Sequence, residues 1–189
     1  MTKLIIFDWD DTCYPTSWII KNGCSTRNFN HKLKSYISYL DKIIAEILVR
    51  TMKFGDVVII TNASIKWVKD CIEHMPHVSE LVSSYIPVIS ARDKYSKLYP
   101  TEIEFWKKNT FSEITFENDY DQVISIGDNE SEYLALFHVL TKKYCGTIKS
   151  VKFMQFPNNI LIIDQLILLN KNIQKIIDFK GNLDLIIKH

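Results

Sequence analysis

Apolar residues fall into short runs separated by longer amphipathic stretches. The runs at 4–7, 57–60, 86–90, 123–126 and 150–153 are rich in β-branched residues and show little polar alternation. Such runs predict strands buried on both faces of a parallel sheet. Between them, 33–48 carries Leu33, Ile37, Leu40, Ile44 and Ile47 on one helical face. Residues 62–75, 101–111 and 130–141 are further helix candidates, and 159–179 predicts a last amphipathic helix. Strand alternating with helix is the pattern of an open α/β fold. Pro87 would remove a ladder donor, which places the third strand at an edge. Residues 13–32 hold Pro15 and Gly23, lack a clean period and read as an irregular flap. The expectation is one domain over 1–189, with the flap at 13–32 and a helical tail at 159–189.

Composition narrows the function classes. Hydrophobic residues make up 47% and charged residues 24%, ordinary for a soluble protein with a real core. The net charge is +1, and the basic residues include only Arg27, Arg50 and Arg92 as arginines. No strong field therefore draws the chain to nucleic acid or an anionic membrane. Cys13, Cys24, Cys71 and Cys145 form no CxxC pair, and the histidines show no ligand spacing. That excludes a zinc framework and suits a reducing, cytoplasmic setting. The longest apolar stretch, 160–169, is interrupted by Asp164 and is too short to span a membrane.

In open parallel sheets, ligands bind outside the carboxyl ends of the strands. The first predicted strand ends in Asp8-Trp9-Asp10-Asp11-Thr12, the second in Thr61-Asn62, and the fourth in Gly127-Asp128-Asn129-Glu130-Ser131-Glu132. Carboxylates gathered in one crevice repel one another unless a cation offsets them. Oxygen ligation suits Mg²⁺, which also bridges naturally to phosphate. Asp8 and Asp10 alternate along an extended strand end and can project to the same side.

These segments resemble the haloacid dehalogenase (HAD) superfamily. Its DxDx[TV] motif matches Asp8 to Thr12, its second motif the run ending in Thr61, and its acidic GDxxx[DE] motif Gly127 to Glu132. Asp11 stands where many relatives carry Gly. The family's lysine is matched by Lys107, with Lys108 and Lys94 as rivals. The resemblance covers about residues 3–153 and implies a three-layer, Rossmann-like fold with a five-stranded parallel sheet flanked by helices; the family commonly carries a cap domain, but the intervals 13–56 and 63–106 leave no room for a large one.

The resemblance also implies an activity, a Mg²⁺-dependent phosphomonoester phosphatase. Asp8 would be the nucleophile and Asp10 the general acid and base. The metal would be held by Asp8, the Asp10 carbonyl and Asp128. Thr12, Thr61, Asn62 and Lys107 would meet the phosphate, and Glu132 would orient Asp128 or a metal-bound water. An uncapped mouth suggests a phosphoprotein substrate, with small phosphometabolites as the alternative and nucleic acid disfavoured. Asp10 argues against a dehalogenase, which lacks that second acid. The full set of acids argues against a silent binding protein on the same fold, and a receiver domain lacks the DxDxT pattern. Plain structural readings compete at single positions: Thr61-Asn62 as helix caps, Asp128 as an N-cap, Lys107 as a surface lysine, Trp9 and Trp106 as packing.

Overall fold

The computed structural model describes residues 2–24, 29–142 and 146–188. Residues 25–28 of the expected flap, and Cys145, lie outside them. The strands are β1 (Lys3–Phe7), β2 (Asp56–Thr61), β3 (Val88–Ser90), β4 (Gln122–Gly127), β5 (Thr147–Lys152) and β6 (Leu183–Ile186). All pair in parallel, in the order β3-β2-β1-β4-β5-β6. This is the 3-2-1-4-5-6 order of doubly wound sheets, with its topological switch between β1 and β4.

The helices are α1 (Thr16–Lys21), α2 (His31–Met52), α3 (Ile65–Ile72), α4 (Pro76–Ser84), α5 (Ala91–Tyr95), α6 (Glu104–Glu117), α7 (Glu130–Thr141) and α8 (Asn159–Asp178). They split into two layers because strand side chains alternate between faces. Ile5, Phe7, Val57, Ile59, Ile124 and Ile126 pack with α2, α3, α4 and α8 in one core. Leu4, Ile6, Val58, Ile60 and Val123 pack with α5, α6 and α7 in the other. The expected stripe on α2 is buried throughout, and Asn30 starts that helix by accepting from the Leu33 N–H at 2.9 Å.

Several boundaries differ from the sequence expectation, each for a local reason. The sheet has six strands, not five. The tail is a helix followed by β6, whose Leu183 and Leu185 alternate with exposed Asp184 and Ile186. A four-residue run holding an Asp carries little strand signal of its own, and its register comes from β5. β5 itself begins earlier, at Thr147, and includes the buried Lys149. The segment expected as one helix over 62–75 narrows to α3, opened by Ser64 accepting from the Trp67 N–H at 3.2 Å, and a separate helix, α4, follows beyond it. Pro76 begins α4, and no neighbouring side chain caps it. Its first-turn donors are instead met from α2, where buried Asp41 accepts from Val78 N at 2.9 Å and His77 N at 3.1 Å. The third helix candidate, 101–111, is shifted to α6. Pro87 precedes β3, which is an edge strand. The irregular flap contains the short helix α1.

Candidate functional site

Two adjacent strands fix the centre of the site. Phe7 of β1 lies in register with Ile126 of β4, and the Asp8 N–H donates to the Ile126 carbonyl at 2.9 Å. Asp8 therefore leaves the sheet beside Asp128, at the switch point. Asp8, Asp10, Asp11, Thr61, Asn62, Lys107, Asp128, Asn129, Ser131, Glu132 and Phe156 line a cavity of about 180 Å³. Another hollow, about 470 Å³, lies along α8 and β6 and is lined mainly by apolar side chains. It holds no acid cluster.

Among the three candidate lysines, geometry separates one. Lys107 of α6 is buried, and its Nζ donates to Asp8 Oδ1 at 2.5 Å and to Glu132 Oε1. Lys108 turns toward Glu104 at 3.6 Å and the Phe105 ring, and Lys94 pairs with Glu113. Burial would lower the Lys107 pKa, yet Asp8 and Glu132 carry it above the ordinary lysine value.

Glu132 closes a capping box on α7. It accepts from the Asn129 N–H at 2.8 Å while the Asn129 side chain accepts in turn from the first turn of α7. Its other oxygen receives Lys107 and the Ser131 hydroxyl, the latter at 2.6 Å. The glycine of the GD pair has a physical reason here. A Cβ on Gly127 would stand 2.5 Å from Glu132 Cγ, so only Gly lets Glu132 lie back over the strand end. Because Asn129 caps the helix, Asp128 is not spent as a cap and points its charge at the site. Glu130 is exposed to solvent.

The first turn of the site is shaped by Asp11. Its φ of 55° is left-handed, a conformation that Asp and Asn tolerate better than other side chains. Its carboxylate then accepts the Ser17 N–H at 2.9 Å and the Ser17 hydroxyl, supplying α1 with the capping group that Pro15 cannot. Asp10 Oδ1 accepts from Trp67 Nε1 at 2.9 Å and from the Thr16 hydroxyl.

Thr61 is buried, and its Oγ1 accepts the Ala63 N–H at 2.9 Å, which leaves the hydroxyl proton to be given elsewhere. Ser64, not Thr61 or Asn62, caps α3, so the helix start stands three residues beyond the expected anion site. Asn62 Oδ1 is buried without a hydrogen-bond partner among the described residues. Thr12, expected to meet substrate, is fully buried and lies apart from the cavity lining. Trp9 and Trp106 are buried packing residues; Trp9 stacks on Tyr14 and Trp106 donates to the Tyr99 carbonyl at 2.8 Å.

Five carboxylates and one ammonium line this cavity. The imbalance shows in the acids. Burial raises the Asp8 pKa well above its ordinary value, opposed by Lys107 and reinforced by Glu132 and Asp128. Asp128 is pushed to about 7 by burial, with Glu132 and Asp11 adding to the rise and Lys107 opposing it. Carboxylate oxygens of Asp8, Asp128 and Glu132 lie within 4.8 Å of one another. A bound cation would relieve this repulsion, and the all-oxygen donor set fits Mg²⁺. With Glu132 committed to Lys107, Ser131 and Asn129, Asp8 and Asp128 are the side chains best placed to hold it.

Sequence reasoning missed Phe156, which lies past β5, lines the cavity and is 77% exposed, with a left-handed φ of 52°. Pro157-Asn158 marked a turn there, but no pattern marked the ring. It also missed the Trp67 contact with Asp10. No family model, curated protein or solved structure matches the chain.

Proposed function

We propose that the protein is a Mg²⁺-dependent phosphomonoester phosphatase of HAD type, with Asp8 as nucleophile and no cap domain. The observation that carries the reading is the buried contact of Lys107 with Asp8 at the topological switch, beside the excess of acids around Asp128. A nucleophilic carboxylate needs an adjacent cation to stay ionised when buried, and a phosphoryl group needs offsetting charge.

In the first step an Asp8 oxygen attacks phosphorus and the bond to the leaving oxygen breaks, its electron pair passing to that oxygen. Protonated Asp10 gives its proton to the leaving group and becomes a carboxylate. In the second step Asp10 takes a proton from water as the water oxygen attacks the aspartyl-phosphate. Phosphate leaves and Asp8 is restored. Thr61 donates its hydroxyl proton, and Asn62 its amide protons, to phosphoryl oxygens, while Lys107 offsets their charge. Mg²⁺, when held by Asp8, Asp128 and the Asp10 carbonyl, would supply charge neutralisation at the phosphoryl oxygens.

The favoured substrate is a phosphoprotein. The cavity, at about 180 Å³, is smaller than the roughly 300–1,000 Å³ of pockets that enclose a whole small molecule. It suits a phosphate while the rest of the substrate lies outside, past Phe156. All described strands belong to the one sheet, and the intervals after β1 and β2 hold only the helices α1 to α4 among the described residues. The five acids disfavour a nucleic-acid backbone, and among the described residues no helix is long and apolar enough to cross a membrane.

The test is phosphate release from p-nitrophenyl phosphate and from a phosphopeptide panel. Release should require Mg²⁺, stop in EDTA and be lost by about four orders of magnitude in Asp8→Asn, whose amide cannot form the covalent intermediate. Full activity in chelator or in Asp8→Asn excludes the mechanism. A sugar phosphate outpacing every peptide by orders of magnitude in kcat/KM excludes the open-mouth argument.

A further inference from the structure

The two oxygens of Asp10 are not equivalent. Oδ1 accepts from Trp67 Nε1 at 2.9 Å and also from the Thr16 hydroxyl. A hydroxyl can turn and accept instead, but an indole N–H can only donate. An oxygen already receiving that donor is poorly placed to take a proton as well, which leaves Oδ2 as the oxygen open to exchange one.

Trp67 is held to this task from two sides. Its backbone N–H is fixed by the Ser64 cap of α3. Its ring meets Tyr14 edge-on, with centroids 6.2 Å apart and planes at 86°. Tyr14 in turn stacks on Trp9 at 5.8 Å, the residue between Asp8 and Asp10. The series Trp9, Tyr14, Trp67 thus ties the indole to the very turn that carries both acids.

We propose that Trp67 is a positioning residue that reserves Asp10 Oδ2 for proton transfer and holds Oδ1 as an acceptor throughout the cycle. The proposal rests on the phosphatase reading above. In the first step the proton leaves Oδ2 for the leaving oxygen, and the indole stabilises the carboxylate that forms. In the second step Oδ2 faces the water and takes its proton. Trp67 itself touches no reacting atom.

Trp67→Phe keeps a ring against Tyr14 and removes only the donor, so it separates packing from positioning. The informative substrates are a phosphoserine peptide, whose alkoxide must be protonated to leave, and 2,4-dinitrophenyl phosphate, whose phenolate leaves without help. The expected result is a loss of kcat with the peptide about tenfold larger than with the aryl ester. In an Asp10→Asn background the same substitution should leave that ratio where it is, because the acid it orients is gone. A measurement independent of turnover guards against a folding defect in the variant. The Trp67 indole N–H resonance should move in Asp10→Asn, since its acceptor changes from a carboxylate to an amide. Equal losses on both esters, or an indole resonance that stays put, overturn the role of Trp67 and leave the phosphatase reading standing. A wild-type protein that hydrolyses neither ester overturns both.

Discussion

Two lysines are buried among the described residues, and they answer the cost of burial in opposite ways. Lys149, in the middle of β5, donates to the carbonyls of Ile176 and Ile177 at 2.6 Å and of Phe179 at 2.7 Å. It spends all three donors on the C-terminus of α8, where the helix leaves carbonyls without partners and where a cation is favoured. Its acceptors carry no charge. Burial pushes its pKa below the ordinary value, Asp178 pulls it back and Lys3 adds to the push. Lys107 faces two carboxylates instead, and its pKa goes up. Around Lys149 the hydrogen bonding is complete. Around Lys107 it is the opposite: more acids gather than one ammonium can neutralise. A closed account marks a structural group, and an unbalanced charge marks a place for a ligand.

Replacing each lysine by Met sharpens the contrast. Lys107→Met should cost about 10²- to 10³-fold in kcat, the scale of losing a donor that stabilises developing charge. Lys149→Met should leave kcat near wild type and cost about 2–4 kcal/mol of stability, because carbonyls of α8 lose their partner in a dry setting. Denaturant unfolding and steady-state kinetics on both variants measure the two axes. A Lys149→Met protein of wild-type stability, or a Lys107→Met protein of wild-type kcat, would erase the distinction.

The unbalanced charge also predicts how stability follows pH. Asp128 has a folded pKa of about 7 against 3.8 in its ordinary state. Between those values the folded protein holds a proton that the unfolded chain has released. The slope of stability with pH follows protons bound unfolded minus protons bound folded, so it is negative in this window. Metal-free protein should therefore lose stability as pH rises from about 4 to about 7, by on the order of 3 kcal/mol from this group. Mg²⁺ should reverse the trend, stabilising most at neutral pH where the acids are ionised. Asp128→Asn should flatten the metal-free slope. Thermal unfolding across pH, with and without Mg²⁺, reads all three. A slope unchanged in Asp128→Asn would place the imbalance elsewhere.

The sequence carried these regions unequally. β1, β2 and β4 were legible because strands buried on both faces are uninterrupted apolar runs. The acids at their ends were legible because chain topology alone brings strand ends together. α7 was legible to the residue, since the Asn129 to Glu132 capping box is local chemistry. What was hidden depends on partners far along the chain. Lys149 lay outside the expected strand because a lysine reads as exposed until its acceptors, 27 to 30 residues onward, are known. The start of α4 depends on Asp41 from α2, and β6 on its neighbour β5. Trp67 meets Asp10 across 57 positions. Thr12 illustrates the converse: a motif position expected to meet substrate is fully buried and lies outside the cavity lining.

Phe156 offers the smallest effect and the most direct reading of the mouth. A bulky side chain with φ of 52° is strained, by roughly 1–2 kcal/mol relative to a residue suited to that conformation. The ring recovers little of this by burial, being 77% exposed. The backbone on either side is pinned. Met154 donates to Gln165 Oε1 at 2.6 Å, and Asn158 caps α8 through Ile160 and Leu161 at 3.0 and 2.8 Å. Relaxing the turn would disturb those bonds, so the strain stays at Phe156. Asn tolerates the left-handed region, and Phe156→Asn should be at least as stable as wild type, with a gain of up to about 1 kcal/mol. For a chain of this size that gain is roughly 2–4 °C in Tm. If the cavity takes a phosphate, as proposed, and the ring contacts what lies outside it, the same variant should raise KM for phosphopeptides by about three- to tenfold and change kcat little, as loss of uniform binding does. A fall in Tm would show that the ring packs where it stands. An unchanged KM with a higher Tm would show a strained residue that the substrate never meets, and the mouth would then begin deeper, at Asn62 and Asn129.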